Sequence, residues 1–339
     1  LTRSLRSQYP TNLDKNERKA SRYGAWDFFK EDSNRPNGIL TNDLKQKIDQ
    51  SFGNTVEVPV LDREDVTIQN VRSCTIADDD STSALVQLNF ATFSFGFSMY
   101  AADYKQNDIK YQADYDQKLR KYLLKLASLF DENSIATLEA DKNSYAGAGA
   151  LAAFYPVVGD SLQVPWAEKE NFYNNLESIK EVQDFYDKTH IIHNPNHSPL
   201  VRRLDNQGSN NGVNENFQLE PYSWYKTNRI ANAVGVNSTL YAVTEGNVGV
   251  YWRLDPDAMN RERLGDAEWD VVQMPLVEIP MGSYYTRDCS DRSSVLPGGS
   301  RTVRETFEFS ADLCWFSAYN SDEANQYGPI QKAEIMAEL

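Results

Sequence analysis

Cysteine and histidine are scarce in this sequence, which has three of each among its 339 residues. The cysteines, Cys74, Cys289 and Cys314, are an odd number and show no CxxC spacing. Disulfide-stapled secreted domains and zinc ribbons need paired cysteines at close spacing. The sequence therefore argues against both classes and fits a protein of a reducing compartment.

Long apolar runs are also missing. No stretch approaches the ~18–20 residues that span a bilayer, and the opening segment LTRSLRSQYP lacks the hydrophobic core of a secretory signal. We therefore expect no membrane association and a chain that acts, or is assembled, inside a cell. Aromatic residues make up 12% of the composition. The chain can therefore bury substantial cores, and its length allows two of them.

The chain has fewer basic than acidic residues, and the basic residues are unevenly distributed along it. The net charge is −15, yet the first 30 residues hold seven Lys/Arg against three Asp/Glu. The rest of the chain therefore carries −19. An acidic body repels a phosphate backbone, which argues against specific nucleic-acid binding. The basic tip could hold an acidic neighbour, a second subunit or nucleic acid.

Catalytic signatures are absent as well, since there is no GxSxG, Walker loop or kinase motif set. Gly147, Gly149 and Ala152 match the GxGxxA dinucleotide fingerprint, but the motif follows a polar helical stretch instead of the buried strand that it requires. We interpret it as a flexible connector. The acids Asp78–Asp80 lack the further oxygen ligands of a calcium loop, so they predict a solvated hairpin tip.

The three histidines cluster at His190, His193 and His197, a spacing that resembles a metal-ligand set. Ile191 and Ile192 favour a strand, however, on which His190 and His193 point to opposite faces. Pro195 interrupts any helix that would bring His193 and His197 together. The sequence therefore predicts no metal ligands, and it predicts no catalytic residue and no cofactor site.

The order of the predicted elements is the most informative pattern present. A weakly helical arm, Leu13–Lys30, is followed by a polar loop, Glu31–Gly38, and then by a short helix that Thr41 caps and Gly53 closes. Strand-like sequence runs from Thr55 to Tyr100. A long amphipathic helix is then predicted over Asn107–Phe130, with a second, short helix over Asp131–Lys142. The apolar stripe of the long helix is formed by Tyr115, Leu119, Tyr122, Leu123, Leu126 and Phe130.

The remaining sequence predicts a helix from Pro165 to Lys188, with an apolar stripe formed by Phe172, Leu176, Ile179, Val182 and Phe185. It also predicts a strand at His190–His193 and a helix with Ser198 as its N-cap. A Gly/Asn-rich loop, Asp205–Asn216, follows. Beyond it, alternating apolar and polar residues predict mainly strands, such as TLYAVTEG, VGVYWRL and TVRETFEFSADLCWFSAY. Helices early and strands late predict an α+β fold class.

Taken in order, these segments resemble the major capsid protein of tailed bacteriophages, the Hong Kong 97-type (Johnson) fold. FSMYAADYKQNDIKYQADYDQKLRKYLLKLASLF is similar to the end of that family's extended loop and its spine helix. THIIHNPNHSPLVRRL is similar to the axial domain's central strand, ending in Asn194–Pro195, and the next helix. The strands that follow in the family often carry an Asn, here Asn228.

The resemblance implies a four-part chain and a structural role without catalytic residues. Such a subunit self-assembles into the icosahedral head that encloses double-stranded DNA, and it belongs to the virion after assembly in the bacterial cytoplasm. Its implied partners are copies of itself in hexamers and pentamers, the portal and other head proteins, and non-specifically the packaged DNA. The implied parts are an N-terminal arm (1–54), an extended β-hairpin loop (55–100), a peripheral domain (101–165 and 281–339) and an axial domain (166–280).

Two other functions remain open at this stage. An encapsulin-type compartment shell shares the fold, and the sequence does not separate the two. A carboxylate-dependent hydrolase with an active-site loop at Asp205–Asn216 would be a small monodisperse species instead of a shell. For a shell protein, we expect removal of residues 1–30, or of the hairpin tip Asp65–Leu85, to spare the subunit and block assembly.

Overall fold

The computed structural model describes residues 23–36, 38–51, 53, 55–61, 83–104, 111–143, 154–182, 185–209, 222–291, 301–318 and 328–338. Within these ranges the α-helices are α1 (Gly24–Ser33), α2 (Asn42–Asp49), α3 (Tyr111–Ala140), α4 (Phe172–Glu181), α5 (Ser198–Ser209) and α6 (Pro256–Met259). The strands are β1 (Thr55–Leu61), β2 (Ser83–Asn89), β3 (Ala91–Tyr100), β4 (Val157–Val158), β5 (Ser161–Val164), β6 (Thr189–His193), β7 (Tyr222–Lys226), β8 (Val236–Thr244), β9 (Val248–Arg253), β10 (Arg263–Leu264), β11 (Ala267–Gln273), β12 (Pro280–Asp291), β13 (Arg301–Ser317) and β14 (Ile330–Met336). This mixture of helix and sheet confirms the predicted α+β class.

The chain forms two compact units. The larger unit contains Ser21–Asn89, Asp131–Gly249 and Trp315–Leu339, and the smaller unit contains Phe90–Phe130 and Val250–Cys314. The boundary between them falls within α3, β9 and β13, so single helices and strands contribute residues to both.

The sheet of the larger unit has the order β4-β5-β14-β8-β6-β7. One face is covered by α4 and α5, because Leu176 and Leu204 join a buried apolar cluster that includes Ile191 of β6. The other face holds α1, whose Phe28 lies 5.2 Å from His190, measured between ring centroids. Successive side chains of a strand point to opposite faces, so β6 is packed on both sides.

The fourth helix is shorter than its predicted span of Pro165–Lys188. It begins at Phe172 and ends at Glu181, and Val182, predicted to continue the buried stripe, is 47% exposed. The buried Lys180 ammonium donates to the Asp187 carbonyl at 2.8 Å, and this contact belongs to a turn that ends the helix. The prediction was therefore wrong about both helix boundaries, although its stripe residues up to Ile179 are buried.

The sheet of the smaller unit has the order β10-β11-β12-β13-β3, and β9 also pairs with β13. The first part of α3 packs on one face of this sheet. Its Tyr115 ring lies 5.3 Å from Phe97 and 5.0 Å from Phe307 between centroids, and Phe130 meets Phe93 edge-on at 5.3 Å. These rings form the aromatic core of the unit.

The third helix is continuous over Tyr111–Ala140, so the prediction of two helices that meet at Asp131 was wrong. An acid at that position favours a helix N-terminus over a helix interior. Tertiary contacts outweigh this preference, because the Asp131 carboxylate accepts a hydrogen bond from the Trp26 backbone N–H at 3.1 Å. Residues 107–110 of the predicted helix lie outside the described residues.

Five of the six residues in the predicted stripe of α3 are buried, and Tyr122 is the exception at 40% exposed. Its ring stacks on Phe95 at 5.3 Å with an interplanar angle of 12°. The aromatic face of Tyr122 is thus used in packing while its edge meets solvent, as the amphipathic character of tyrosine allows.

The N-terminal segment is part of the core of the larger unit. Trp26, Phe28 and Phe29 of α1 have no exposed surface. Removing residues 1–30 would delete all three, so the expectation that this truncation spares the subunit was wrong. Tyr23, the first described residue, also contributes to this unit through a β-bridge with Thr227.

The second helix agrees with its predicted start. The Thr41 side chain accepts a hydrogen bond from the Leu44 N–H at 3.3 Å, which is the N-cap geometry. The helix ends at Asp49, before the predicted stop at Gly53, and Gln50 occupies the cap position.

The region after β6 contains two further corrections. Ser198 has helical backbone angles and follows a 3-10 turn at Pro195–His197, so it is not the N-cap that was predicted. Helix α5 then continues to Ser209, which replaces the first part of the predicted loop Asp205–Asn216 with helix. Residues 210–216 of that loop lie outside the described residues.

Strand β14, the strand nearest the C-terminus, was not predicted. Ile330–Met336 pairs antiparallel with β8 and parallel with β5. Its sequence IQKAEIM alternates too weakly to stand out, because polar residues fill positions covered by neighbours, such as Gln331, which is 2% exposed. This pairing joins residues from the predicted peripheral range 281–339 to residues from the predicted axial range 166–280. The four-part division itself stays a prediction.

Candidate functional site

Strands β1 and β2 form a two-stranded hairpin in the larger unit, separate from its six-stranded sheet. β1 and β2 pair antiparallel from Thr55↔Asn89 to Leu61↔Ser83. No third strand pairs with either of them among the described residues. The predicted tip at Asp78–Asp80 lies outside the described residues.

The two faces of the hairpin differ. Val56 and Leu88 are paired on one face at its base and are buried, at 4% and 7% exposed. The opposite face carries Glu57, which accepts a hydrogen bond from the Gln87 side chain at 3.4 Å. Further out, Leu85 is 65% exposed. Burial therefore decreases from the base outward, and an apolar side chain is left uncovered toward the tip.

Two carboxylates hold the ends of α1 in the larger unit. At its start, Asp131 accepts the Trp26 N–H and also a hydrogen bond from the Thr227 hydroxyl. At its end, Asp32 accepts the backbone N–H of Gly246 at 2.9 Å and that of Val248 at 3.3 Å. Both carboxylates have no exposed surface. The helix is thus clamped to α3, to the segment after β7 and to the β8–β9 turn.

Burial dominates the electrostatics of these carboxylates. It raises the pKa of Asp131 to about 6, against the opposing effect of the hydrogen bonds from Thr227 and Trp26. It also raises the pKa of Asp32, although the Gly246 and Val248 N–H groups and the Arg35 guanidinium act in the opposite direction.

His190 belongs to the cluster at the end of α1. Its Nε2 lies 3.3 Å from Arg35 Nη2 and 3.3 Å from Glu245 Oε2. Arg35 also pairs with Glu245 and lies 3.2 Å from Asp32. Burial and the neighbouring Arg35 charge lower the pKa of His190 to about 4. The imidazole is therefore neutral at pH 7 and its role is structural.

His193 lies on the opposite face of β6 from His190, as predicted from strand geometry, and His197 joins it there through the 3-10 turn at Pro195–His197, which was not predicted. The His193 ring is 5.4 Å from the His197 ring, and the Tyr173 hydroxyl contacts His197 Nε2. His197 Nδ1 contacts the Ser238 hydroxyl at 3.0 Å, so its ring nitrogens are occupied. Burial lowers the pKa of both histidines, that of His197 to about 3.

No set of three or more His, Cys, Asp or Glu side chains converges to hold a metal ion in the part of the chain that the structure describes. The GxGxxA segment at 147–152 lies outside that part. None of the helices within the described ranges has both the length and the apolar character to cross a membrane.

The buried carboxylates are the residues that sequence reasoning missed. Asp131 was interpreted as a helix start, and Asp32 as part of a polar loop at Glu31–Gly38. Their partners are backbone N–H groups and side chains far away in sequence, and no local pattern announces such a contact. The break in the apolar stripe at Asp131 was the only signal available.

The comparisons with known proteins find likeness in structure alone. No protein-family model matches the chain, and no curated protein matches its sequence. A chain from the capsid asymmetric unit of cyanophage Pam1 matches with a TM-score of 0.51 and 11% identity, over 86% of this chain and 87% of that chain. A chain of Mycobacterium phage Che8 matches with a TM-score of 0.48 and 10% identity, over 86% and 87%. A chain of the mature capsid of bacteriophage PhiM1 matches with a TM-score of 0.46 and 9% identity, over 86% and 84%.

The Pam1 match covers most of both chains and shows the fold. This chain has the Hong Kong 97-type capsid fold, as the order of its sequence segments predicted. Strands β1 and β2 lie within the range 55–100 that was predicted to form the extended loop, whereas β3, in the same range, belongs to the sheet of the smaller unit.

Proposed function

We propose that this protein is the major capsid protein of a tailed bacteriophage, a structural subunit that self-assembles into the icosahedral head around double-stranded DNA. The observation that carries the proposal is the open hairpin β1–β2 in a chain with a capsid fold. The solved structures that resemble the chain include capsids of cyanophage Pam1 and bacteriophage PhiM1, which supports the same role here.

The physics of the hairpin favours an assembled state. An isolated two-stranded hairpin is marginally stable in water, and its open edges can pair with another chain. In a shell of hexamers and pentamers, neighbouring copies would cover both the edges and the exposed Leu85. Each contact is repeated around the shell, so modest pairwise affinities add up to a durable container.

The remaining parts of the proposal follow from charge and burial. The protein acts as a shell component without catalysis, and its three histidines support this because all are buried and engaged in packing. It resides in the virion after assembly in the bacterial cytoplasm, in contact with the portal and other head proteins. The net charge of −15 favours a wall that repels packaged DNA and meets it without sequence preference.

Negative-stain electron microscopy of the purified protein tests the proposal. We expect closed shells, or capsomer-sized rings of five and six copies. A single small species at every concentration, with a hydrolytic activity that one Asp or Glu substitution abolishes, would favour the hydrolase alternative. Shells that contain a cargo protein and no DNA when isolated from cells would favour the encapsulin alternative.

A hairpin variant tests the observation on which the proposal depends. Residues 62–82 are replaced by Asn-Gly, which joins the paired residues Leu61 and Ser83 by a two-residue turn. We expect folded subunits that form no shells. The matched control places Asn-Gly at Gly159 and Asp160, an exposed turn with φ of 56° and 59°, and should assemble normally. Normal shells from the hairpin variant would contradict the role of the hairpin.

A further inference from the structure

The sheet edges in the described residues differ in how they are protected against pairing. β10 is two residues long and carries Arg263, and β4 is also two residues long. β7 is followed by Thr227, which bridges to Tyr23. Short length, charge and cover are the usual means by which proteins prevent strands of other molecules from adding to an edge.

Among the described residues, the edge formed by β3 is protected only at one end, where Lys118 contacts it. β3 is ten residues long and is the last strand of its sheet, beyond β13. No Asp, Glu, Lys, Arg or Pro occurs from Ser83 to Tyr100, although charged residues make up 24% of the chain. A long, uncharged, proline-free edge is the kind that accepts another strand.

The side chains of β3 leave that edge accessible. Phe95 and Phe97 point toward α3 and pack in the core, while Ser94 and Gly96 on the other face are small and exposed. The Lys118 ammonium donates to the Ser98 carbonyl at 3.3 Å and covers one end of the strand. Along the part that precedes Ser98, β13 is paired with the inner side of β3, and no described strand lies on the outer side.

The second unprotected edge belongs to β2. It has seven residues within the same uncharged run, and no described strand pairs with its outer side. The other hairpin strand, β1, carries Glu57 and Pro59, and proline has no N–H to donate. β2 is therefore the hairpin strand better suited to pair with another edge.

The two edges cannot pair within one chain. Phe90 is the single residue between β2 and β3, and a strand needs a turn of about two residues or more to fold back on its neighbour. The partner of each edge is therefore sought in a second copy. Copies with a net charge of −15 repel one another, so pairing through an uncharged segment meets the least electrostatic cost.

We infer that β2 of one subunit adds to the outer edge of β3 of a second subunit, so that main-chain hydrogen bonds continue the smaller unit's sheet across the subunit boundary. The inference rests on the proposed function, because it requires assembly of identical copies. The outer edge of β3 is the receiving edge. The binding free energy would come from main-chain hydrogen bonds and from burial of the exposed Leu85 side chain.

Thiol crosslinking in assembled shells tests the pairing. The exposed residues Gln87 of β2 and Ser94 of β3 are both replaced by cysteine, in a background where Cys74 and Cys289 are serine. Facing strands bring Cα atoms within about 5.5 Å, within reach of a short bifunctional thiol reagent that also tolerates a shift of one rung. We expect a ladder of covalent oligomers on a denaturing gel, and no ladder from either single variant.

The outcomes separate this inference from the proposed function. Shells without a ladder overturn the strand pairing and leave the capsid role standing. Crosslinked dimers from Ser94→Cys alone would mean that β3 pairs with β3, which also overturns the inference. Absence of shells in the parent protein overturns both.

A charge variant gives an independent readout. Ser94→Lys places a charge on the receiving edge and should abolish shell formation, because lysine on an edge strand opposes pairing. Ser94→Thr keeps the site neutral and should assemble. Gln273→Lys adds the same charge at an exposed position of β11 and should also assemble. Normal assembly of Ser94→Lys would overturn the inference.

Discussion

Two buried carboxylates, one at each end of α1, fix this helix to the rest of the larger unit. Asp131 and Asp32 are buried acids that accept backbone N–H groups from other segments, so each satisfies donors that would otherwise lack partners. Keeping such a carboxylate ionised in a buried site lowers the stability of the folded state. The size of this effect can be measured from the pH dependence of the free energy of unfolding.

The first prediction concerns Asp131→Asn. The folded-state pKa of Asp131, about 6, lies above the ordinary value of 3.8. Its stabilising contribution is therefore complete below about pH 4 and is lost as the pH rises through 6, by about 3 kcal/mol in all. Asparagine keeps an acceptor for Trp26 and does not ionise. We expect the variant to gain stability relative to the parent between pH 4.5 and 7.5 in urea unfolding of the unassembled subunit.

The comparison with the parent isolates Asp131 from other groups. His190 titrates in the same window with the opposite sign, since its lowered pKa gives stability that is lost as the pH falls toward 4. Gln46→Asn, at an exposed site on α2, changes no ionisable group and serves as the control, so its stability relative to the parent should not vary with pH. A stability difference that stays constant with pH would contradict the assignment.

The second prediction concerns Gly24→Ala. A Cβ at Gly24 would lie 2.6 Å from the backbone N and O of Lys226, so the strand or the helix must shift. We expect a loss of about 1–3 kcal/mol in the free energy of unfolding. Gly53→Ala is the matched control, because its nearest neighbour, the Thr55 carbonyl, is 3.5 Å away. Equal stability of the two variants would contradict the close approach.

Some of these single-residue features could be predicted from the sequence alone. The strand that puts His190 and His193 on opposite faces followed from the residue pattern around Ile191. The roles of Asp131 and Glu245 did not, because their partners are reached only by folding and lie far away in sequence.

At the scale of elements, α3 links the two compact units. Its first part packs through Leu119 and Leu123, both fully buried, in the smaller unit. Its last turns belong to the larger unit, where Glu139 accepts hydrogen bonds from the Tyr241 hydroxyl and the Lys332 ammonium.

The third prediction concerns Leu119→Asp. The change removes a buried apolar side chain and introduces a carboxylate with no partner, so we expect a loss of more than about 4 kcal/mol. Gln117→Asp, at an exposed position of the same helix, should change stability by less than about 0.5 kcal/mol. Thermal unfolding followed by circular dichroism distinguishes them. A soluble Leu119→Asp subunit with parent-like unfolding would contradict the packing.

Strong periodicity made the elements predictable where one face is buried against one neighbour. The stripe of α3 and the strand β13 followed from it, whereas β6 and β8, which are buried on both faces, were predicted from their β-branched residues. Where both faces are covered, or where polar side chains are buried with partners, the pattern fails. Strand β14 is the clearest case, since Gln331 is buried but bonded to Asn143.

At the scale of the whole molecule, the order of segments predicted more than any motif did. The long helix after a strand-rich stretch indicated the fold, and the Pam1 comparison confirms it at 11% identity. Fold survives such divergence because it depends on where apolar residues recur and much less on which ones they are.

The fourth prediction concerns ionic strength. Each copy carries −15, so assembly gathers like charges, and salt screens their repulsion over about 10 Å at 0.1 M. We expect the protein concentration needed for shell formation to fall as NaCl rises from 0.05 to 0.5 M, measured by light scattering. A threshold that rises with salt would mean that opposite charges dominate the contacts between subunits.

The boundary between the two units has a consequence for how such proteins can diverge. It cuts through α3, β9 and β13, so no single break in the chain yields a fragment that carries a complete unit. Recombination that exchanged one unit between relatives would sever continuous hydrogen-bonded backbone at each crossing. Exchange of one whole unit is thus disfavoured, because the two units share continuous helices and strands. Insertions are expected instead at exposed turns such as Gly159–Asp160, where they interrupt no paired strand and leave the shared backbone intact.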